Sequence, residues 1–142
     1  MAAPYDEILM DHIRNARNYR IPDLVSREFT GCNVLCGDEL TLYISVTSDC
    51  IEDIAFQCSC CGICMASASI MTEIVDGKTL HEAEALLQAF IDVLSQNSEE
   101  TPLLVGREQR AILETARKFP ARARCAALAW TTLRTGLNAA LR

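Results

Sequence analysis

Apolar and polar side chains alternate along "ELTLYISVTSD", residues 39–49, with Leu40, Leu42, Ile44 and Val46 on one side. A period of two is that of a half-buried strand. "SDC" then supplies a turn and "IEDIAFQ" returns as the partner strand, so this stretch predicts an antiparallel hairpin at the centre of a small sheet. Ser26 to Thr30 reads as a further short strand stopped by Gly31.

Elsewhere the pattern takes a helical period. "PYDEILMDHIRNARN" spaces Tyr5, Ile8, Leu9 and Ile13 along one face, with Pro4 suited to a first turn and Asp6 and Glu7 to the positive helix end. "MASASIMTEIVDG" predicts a short helix rich in small residues that Gly77 stops. "TLHEAEALLQAFIDVLSQN" opens with Thr79 and Glu82 three residues apart, a capping box, and carries a stripe of Leu80, Ala83, Leu86, Leu87, Phe90, Ile91 and Leu94. "SEETP" is a polar break; "REQRAILETARKF", ended by Pro120, and "ARARCAALAWTTLRTGLNAALR" are two more helices. A helix, then strands, then a run of helices predicts an α+β fold: an antiparallel sheet of about three strands with helices packed on it.

At 142 residues the chain fits a single domain over 1–142, large enough to build a core without obligatory staples. Its apolar runs are far short of the roughly 20 residues of a membrane span. "MAAPYDEILMDH" puts acids where a secretory signal needs a basic start, so a cytoplasmic location and no membrane partner are expected. The net charge of −6 argues against a nucleic-acid partner, which demands clustered Lys and Arg. "RKFPARAR" is the local exception and reads as a solvated helix start or a protein-docking edge.

Eight cysteines change the picture most. In a reducing compartment clustered thiols signal metal or catalysis more often than disulfides. In "NVLCGDEL", Cys36 and Asp38 flank Gly37, whose freedom lets the backbone bend both toward one point. Cys61 falls where the second hairpin strand hands over to a helix, whose exposed N–H groups favour a thiolate. Cys125 lies in the first turns of the last helix. Three thiols and a carboxylate from three elements would make a tetrahedral zinc set; four unrelated positions is the plainer alternative.

"FQCSCCGICMASAS" adds Cys58, Cys60 and Cys64 around Cys61. Cys58 and Cys60 point to one side if extended, and Cys61 and Cys64 share a face if helical. These three could be extra soft ligands, a disulfide, a thiol relay toward Cys61, or small core fillers. Cys32 and Cys50 read as fillers, and His12 and His81 as surface residues. There is no P-loop, dinucleotide fingerprint or G-x-S-x-G.

Four stretches together resemble the U-type iron–sulfur assembly proteins (IscU, the N-terminal domain of NifU, SufU), the SufU branch most closely. "EILMDHIRNARN" is similar to that family's opening helix, and "NVLCGDEL" to its Asn-Pro-x-Cys-Gly-Asp motif, with Val34 for Pro. "CGICMASASIMTE" resembles the second-cysteine helix with the Ala-Ser-Ala-Ser run of SufU proteins, and "RARCAALAW" resembles Arg-x-x-Cys-Ala-x-Leu-x-Trp. Arg124 stands where IscU proteins have a histidine, "SEETPLLVGREQR" resembles the extra segment of SufU proteins, and "FPARA" lacks IscU's chaperone-binding Leu-Pro-Pro-Val-Lys.

The resemblance implies that Cys36, Asp38, Cys61 and Cys125 occupy a metal site and that Cys36 is the catalytic sulfur acceptor. It implies Zn2+, a SufS-type cysteine desulfurase as partner, and delivery to the iron–sulfur assembly machinery. Two other readings stand beside this one: a scaffold holding a [2Fe–2S]-type cluster, and a thiol-rich metal or redox module. The chain departs from the family's Phe-x-Gly-x-Gly-Cys by placing Cys58 and Cys60 at both glycines, and Cys64 at a serine. Were those glycines at positive φ, cysteine would cost on the order of 1 kcal/mol or more.

Overall fold

The computed structural model describes residues 7–95 and 106–140. Helix α1 (Glu7–Arg14) precedes strands β1 (Arg27–Asn33), β2 (Asp38–Thr47) and β3 (Cys50–Ser59). Helices α2 (Gly62–Val75), α3 (Leu80–Ser95), α4 (Arg107–Lys118) and α5 (Ala123–Ala140) follow. The strands form an antiparallel sheet in the order β1-β2-β3. The parts of the expected helices and polar break at Pro4, Tyr5, Asp6 and 98–102 lie outside the described residues. No described helix is long and apolar enough to cross a membrane.

The alternation in β2 becomes its two faces. Leu40, Leu42 and Ile44 are buried and level with Cys58, Phe56 and Ile54 of β3. Ser48 and Asp49 both take positive φ, so a two-residue turn of the I′ kind closes the hairpin with the twist its strands need. A shift of register at Ser45/Val46 leaves the alternation intact below it.

Gly31 does not stop β1. The strand continues to Asn33, and Gly31 is instead the point where α5 comes closest: a Cβ there would collide with the Thr132 side chain. Gly136 meets the sheet in the same way, since a Cβ on it would lie 2.5 Å from the Phe29 ring. Missing side chains on both elements let α5 lie down on β1.

Helix α2 is buried along nearly its whole length, from Ile63 to Val75, which explains its small residues. Its hydroxyls are wholly inside and all find partners, as buried polar groups must. Ser67 donates to the Ala126 carbonyl at 2.6 Å and accepts from the Trp130 indole N–H at 2.7 Å, tying α2 to α5. Thr72 donates to the Ser69 carbonyl and accepts from Asn18. Trp130 in turn packs on Phe90, tying α3 in. The capping box forms as predicted, Thr79 and Glu82 exchanging side-chain bonds with each other's N–H. Of the stripe in α3, Leu80, Ala83, Leu87 and Phe90 are buried together with Val93, while Leu86, Ile91 and Leu94 sit at its edge.

His12 corrects the surface assignment. It is 3% exposed, with Nδ1 2.7 Å from Ser69 Oγ and Nε2 3.9 Å from Glu73. Ser69 Oγ also accepts the Arg17 N–H at 2.9 Å, so one hydroxyl joins the ring to the chain just after α1. Its place on what reads as the polar side of the first helix hid this. The partner is a serine 57 residues away. His81 is exposed, as expected.

Burial, aided by the nearby Arg17 charge and opposed by Glu73, holds the His12 imidazole below its ordinary 6.5. Below that value the unfolded chain takes up a proton that the folded chain refuses, so stability falls as pH drops toward the depressed folded-state value. Urea unfolding measured from neutral to mildly acidic pH is expected to show that loss, and His12→Gln is expected to flatten it. An unchanged slope in the variant would remove His12 as its source.

Candidate metal centre

The turn between β1 and β2 presents the first ligand pair. Cys36 N–H closes it on the Asn33 carbonyl at 3.2 Å, and Gly37, at φ +71°, reverses the chain so that Asp38 can begin β2. Cys36 is exposed, whereas Asp38 two residues later is 3% exposed. Cys61 is the N-cap residue of α2, with extended backbone and no side-chain cap of its own. Its N–H instead donates to Asp38 Oδ1 at 3.0 Å, and its Sγ lies 3.8 Å from Oδ2. A strand residue therefore supplies the anion at the positive end of the helix.

Cys125 enters from the first turn of α5, fully buried, with its Sγ 3.1 Å from Cys36 Sγ. The ligand atoms of Cys36, Asp38 and Cys125 all lie within 4.8 Å of one another. Cys61 joins that group through Asp38. Burial pushes the Cys125 thiol up, and its hydrogen bonds to Asp38 and Cys36 add to the shift. A divalent cation held here would reverse that balance by stabilising the thiolates it touched. Two sulfurs and one carboxylate oxygen lie close enough to one another to share an ion, and the Cys61 sulfur stands 3.8 Å from that carboxylate, so the donor set fits zinc in its chemistry.

Cys58, Cys60 and Cys64 do not join this group. Cys58 and Cys60 form a disulfide with each other. Cys64 is fully buried in the core, where burial pushes its thiol up, so it behaves as a small apolar side chain. Cys50 is half-buried beside the hairpin turn, and Cys32 is exposed on β1 rather than a core filler.

Asn33 escaped the sequence reading. Its side-chain amide donates to Cys125 Sγ at 3.6 Å, a contact that orients the thiol. Its signal in sequence was its place as the first residue of "NVLCGDEL", three before Cys36. Beside this turn lies a cavity of about 410 Å³ lined by Val34, Leu35, Arg124, Leu128 and Thr131, and Val34 and Leu35 are 86% and 78% exposed.

The pattern that defines the NifU-like N terminal domain matches residues 4–139. The zinc-dependent sulfurtransferase SufU of Bacillus subtilis is 33% identical over 94% of this chain and 88% of its own length. An iron–sulfur cluster assembly scaffold protein IscU of Streptococcus pyogenes is also 33% identical, over 94% of this chain and 82% of its own. A crystal structure from Fervidobacterium islandicum, described as an iron–sulfur cluster assembly scaffold for the SUF system, superposes with a TM-score of 0.84. It shares 28% identity and covers 94% of this chain and 96% of that one.

The double role of Asp38 is open to measurement in metal-free protein. Asp38→Asn keeps an acceptor for the Cys61 N–H, whereas Asp38→Ala removes it. Urea titration with chelator present is expected to find the Ala variant less stable than the Asn variant by about 0.5–2 kcal/mol, the range of a lost N-cap. Equal stabilities would mean the bond at the start of α2 contributes nothing.

Proposed function

The chain belongs to the NifU-like N terminal domain family, and from that premise we propose that it is a zinc-dependent sulfurtransferase feeding iron–sulfur cluster assembly. At the coarser level it is an iron–sulfur cluster assembly protein of the IscU/SufU kind. The observation that carries the finer reading is an asymmetry of exposure. Asp38 and Cys125 are buried and Cys61 is half-buried, while Cys36 alone of the four is exposed. An exposed thiol among buried partners can be reached by a second protein without opening the fold.

Cys36 is the acceptor in this reading. Its thiolate attacks the outer sulfur of a persulfide on a partner's cysteine, the bond from that sulfur to the partner breaks, and the partner's thiolate departs. Cys36 is left as a persulfide. Bound zinc would hold the thiols of this site deprotonated at neutral pH. Cys61, Asp38 and Cys125 remain as the group that keeps the turn in place while Cys36 exchanges. The partner is a pyridoxal-phosphate cysteine desulfurase of the SufS type, and the apolar Val34–Leu35 tip beside exposed Arg124 is the surface it would meet. A scaffold role is the second reading, favoured by the equal identity to an IscU protein.

Metal analysis of anaerobically purified protein is expected to give about one zinc per chain and no acid-labile sulfide, as suits a four-ligand site. Iron with matching sulfide and a brown colour would favour the scaffold. Cys36→Ala is expected to keep its fold and to lose all stimulation of a cysteine desulfurase. Full stimulation by that variant would remove Cys36 as acceptor.

A further inference from the structure

Cys58 and Cys60 are bonded to each other, and sulfur acceptance at Cys36 makes no use of them. Their position is set by register. Cys58 is paired with Leu40 and Ser59 with Glu39, the last rung of the ladder, and Cys60 is the first residue beyond it. Cys58 lies opposite buried Leu40, and both Cys58 and Cys60 pack against the core while Ser59 is exposed. The pair is half-buried at the edge of the core, Cys58 Sγ lying 3.9 Å from Met65 Sδ. The Tyr19 hydroxyl, donating to the Cys58 carbonyl at 3.2 Å, holds this end of β3. Cys60 directly precedes Cys61, whose N–H is fastened to Asp38.

Resting on the reading that Cys36 carries sulfane sulfur, we propose that Cys58 and Cys60 are a built-in two-electron donor that releases that sulfur as sulfide. The outer sulfur of a persulfide must gain two electrons to become sulfide, and a pair of thiols yields two in forming a disulfide. In the reduced pair, the Cys60 thiolate attacks Cys36 Sγ. The persulfide's S–S bond breaks, hydrosulfide leaves, and a Cys36–Cys60 disulfide forms. The Cys58 thiolate then attacks Cys60 Sγ, and the Cys36 thiolate departs. Two thiols and one persulfide thus become one disulfide, one thiol and one hydrogen sulfide. The structure holds the pair in its spent form, and an external dithiol reductant resets it. Cys60 is the attacking thiol because it is the one joined directly to Cys61, whose N–H is fastened to Asp38. Cys64, buried and with its thiol pushed up, is unsuited to either step.

The test uses full-length zinc-loaded protein, reduced and freed of reductant under anaerobic conditions, with one equivalent of sulfide-free glutathione persulfide. Sulfide is assayed, and peptide mass mapping follows Cys36, Cys58, Cys60 and Cys125. Wild type is expected to release about one sulfide per chain as two thiols become the Cys58–Cys60 disulfide, the stoichiometry of thiol–disulfide exchange. Cys60→Ser is expected to keep the sulfur on Cys36, and Cys58→Ser to stall as a Cys36–Cys60 disulfide after releasing sulfide once.

Sulfide release at the wild-type rate from a Cys58→Ser/Cys60→Ser double variant would overturn the proposal, as would a Cys36–Cys125 disulfide as the product. Sulfur that loads on wild-type Cys36 and stays there, with Cys58 and Cys60 still thiols, would overturn this inference alone. Failure of Cys36 to load in any variant would overturn the acceptor reading with it.

Discussion

A buried carboxylate at the first residue of β2 sets the terms for the rest of the molecule. Asp38 is out of water, and a charge there has to be met by hydrogen-bond donors or a cation. One oxygen is met by the Cys61 N–H, the other faces the Cys61 thiol, and the Cys36 and Cys125 sulfurs lie beside it. The β1–β2 turn, the end of β3 and the start of α2 are fixed by one side chain. Removing that bond would free a helix terminus and a cluster of thiols together.

Bringing Cys125 to this point requires α5 to lie close on β1, and α2 to be thin. Gly31 and Gly136 permit the first, because a Cβ on either would strike Thr132 or Phe29. The Ala66–Ser69 run permits the second, and its serines turn a narrow helix into a hydrogen-bonded one. Ser67 grips the Ala126 carbonyl next to Cys125, so the position of the buried thiol is held through a hydroxyl two helices share. The site is thus the meeting point of a packing problem that its own residues do not solve.

The hairpin, the capping box and the handover at Cys61 were legible because each is local: alternation, a spacing of three, a strand ending before a helix. The bend at Gly37 was legible for the same reason. What sequence concealed was whatever depends on a partner far along the chain. Gly31 looks like a strand stop until Thr132 is seen against it, and His12 looks like a surface residue until Ser69 is placed beside it. Asn33 carries no mark of its bond to Cys125, 92 residues on. Spacing gave reason to pair Cys36 with Asp38 but none to bring Cys61 and Cys125 to them; the resemblance to a family supplied that expectation.

The cysteines at the two family glycines are governed by the same local rule as the hairpin. Neither Cys58 nor Cys60 has positive φ, so the backbone charges nothing for their side chains there. The strand stays regular through Ser59, and its period of two aims alternate residues at the helices. Leu40, Leu42 and Ile44 use that face to build a core, and two linked sulfurs pack against its upper end. An apolar pair at 58 and 60 would have extended the core by one more layer. Thiols in those places end the core at a pair of linked sulfurs, next to the residue whose N–H holds Asp38.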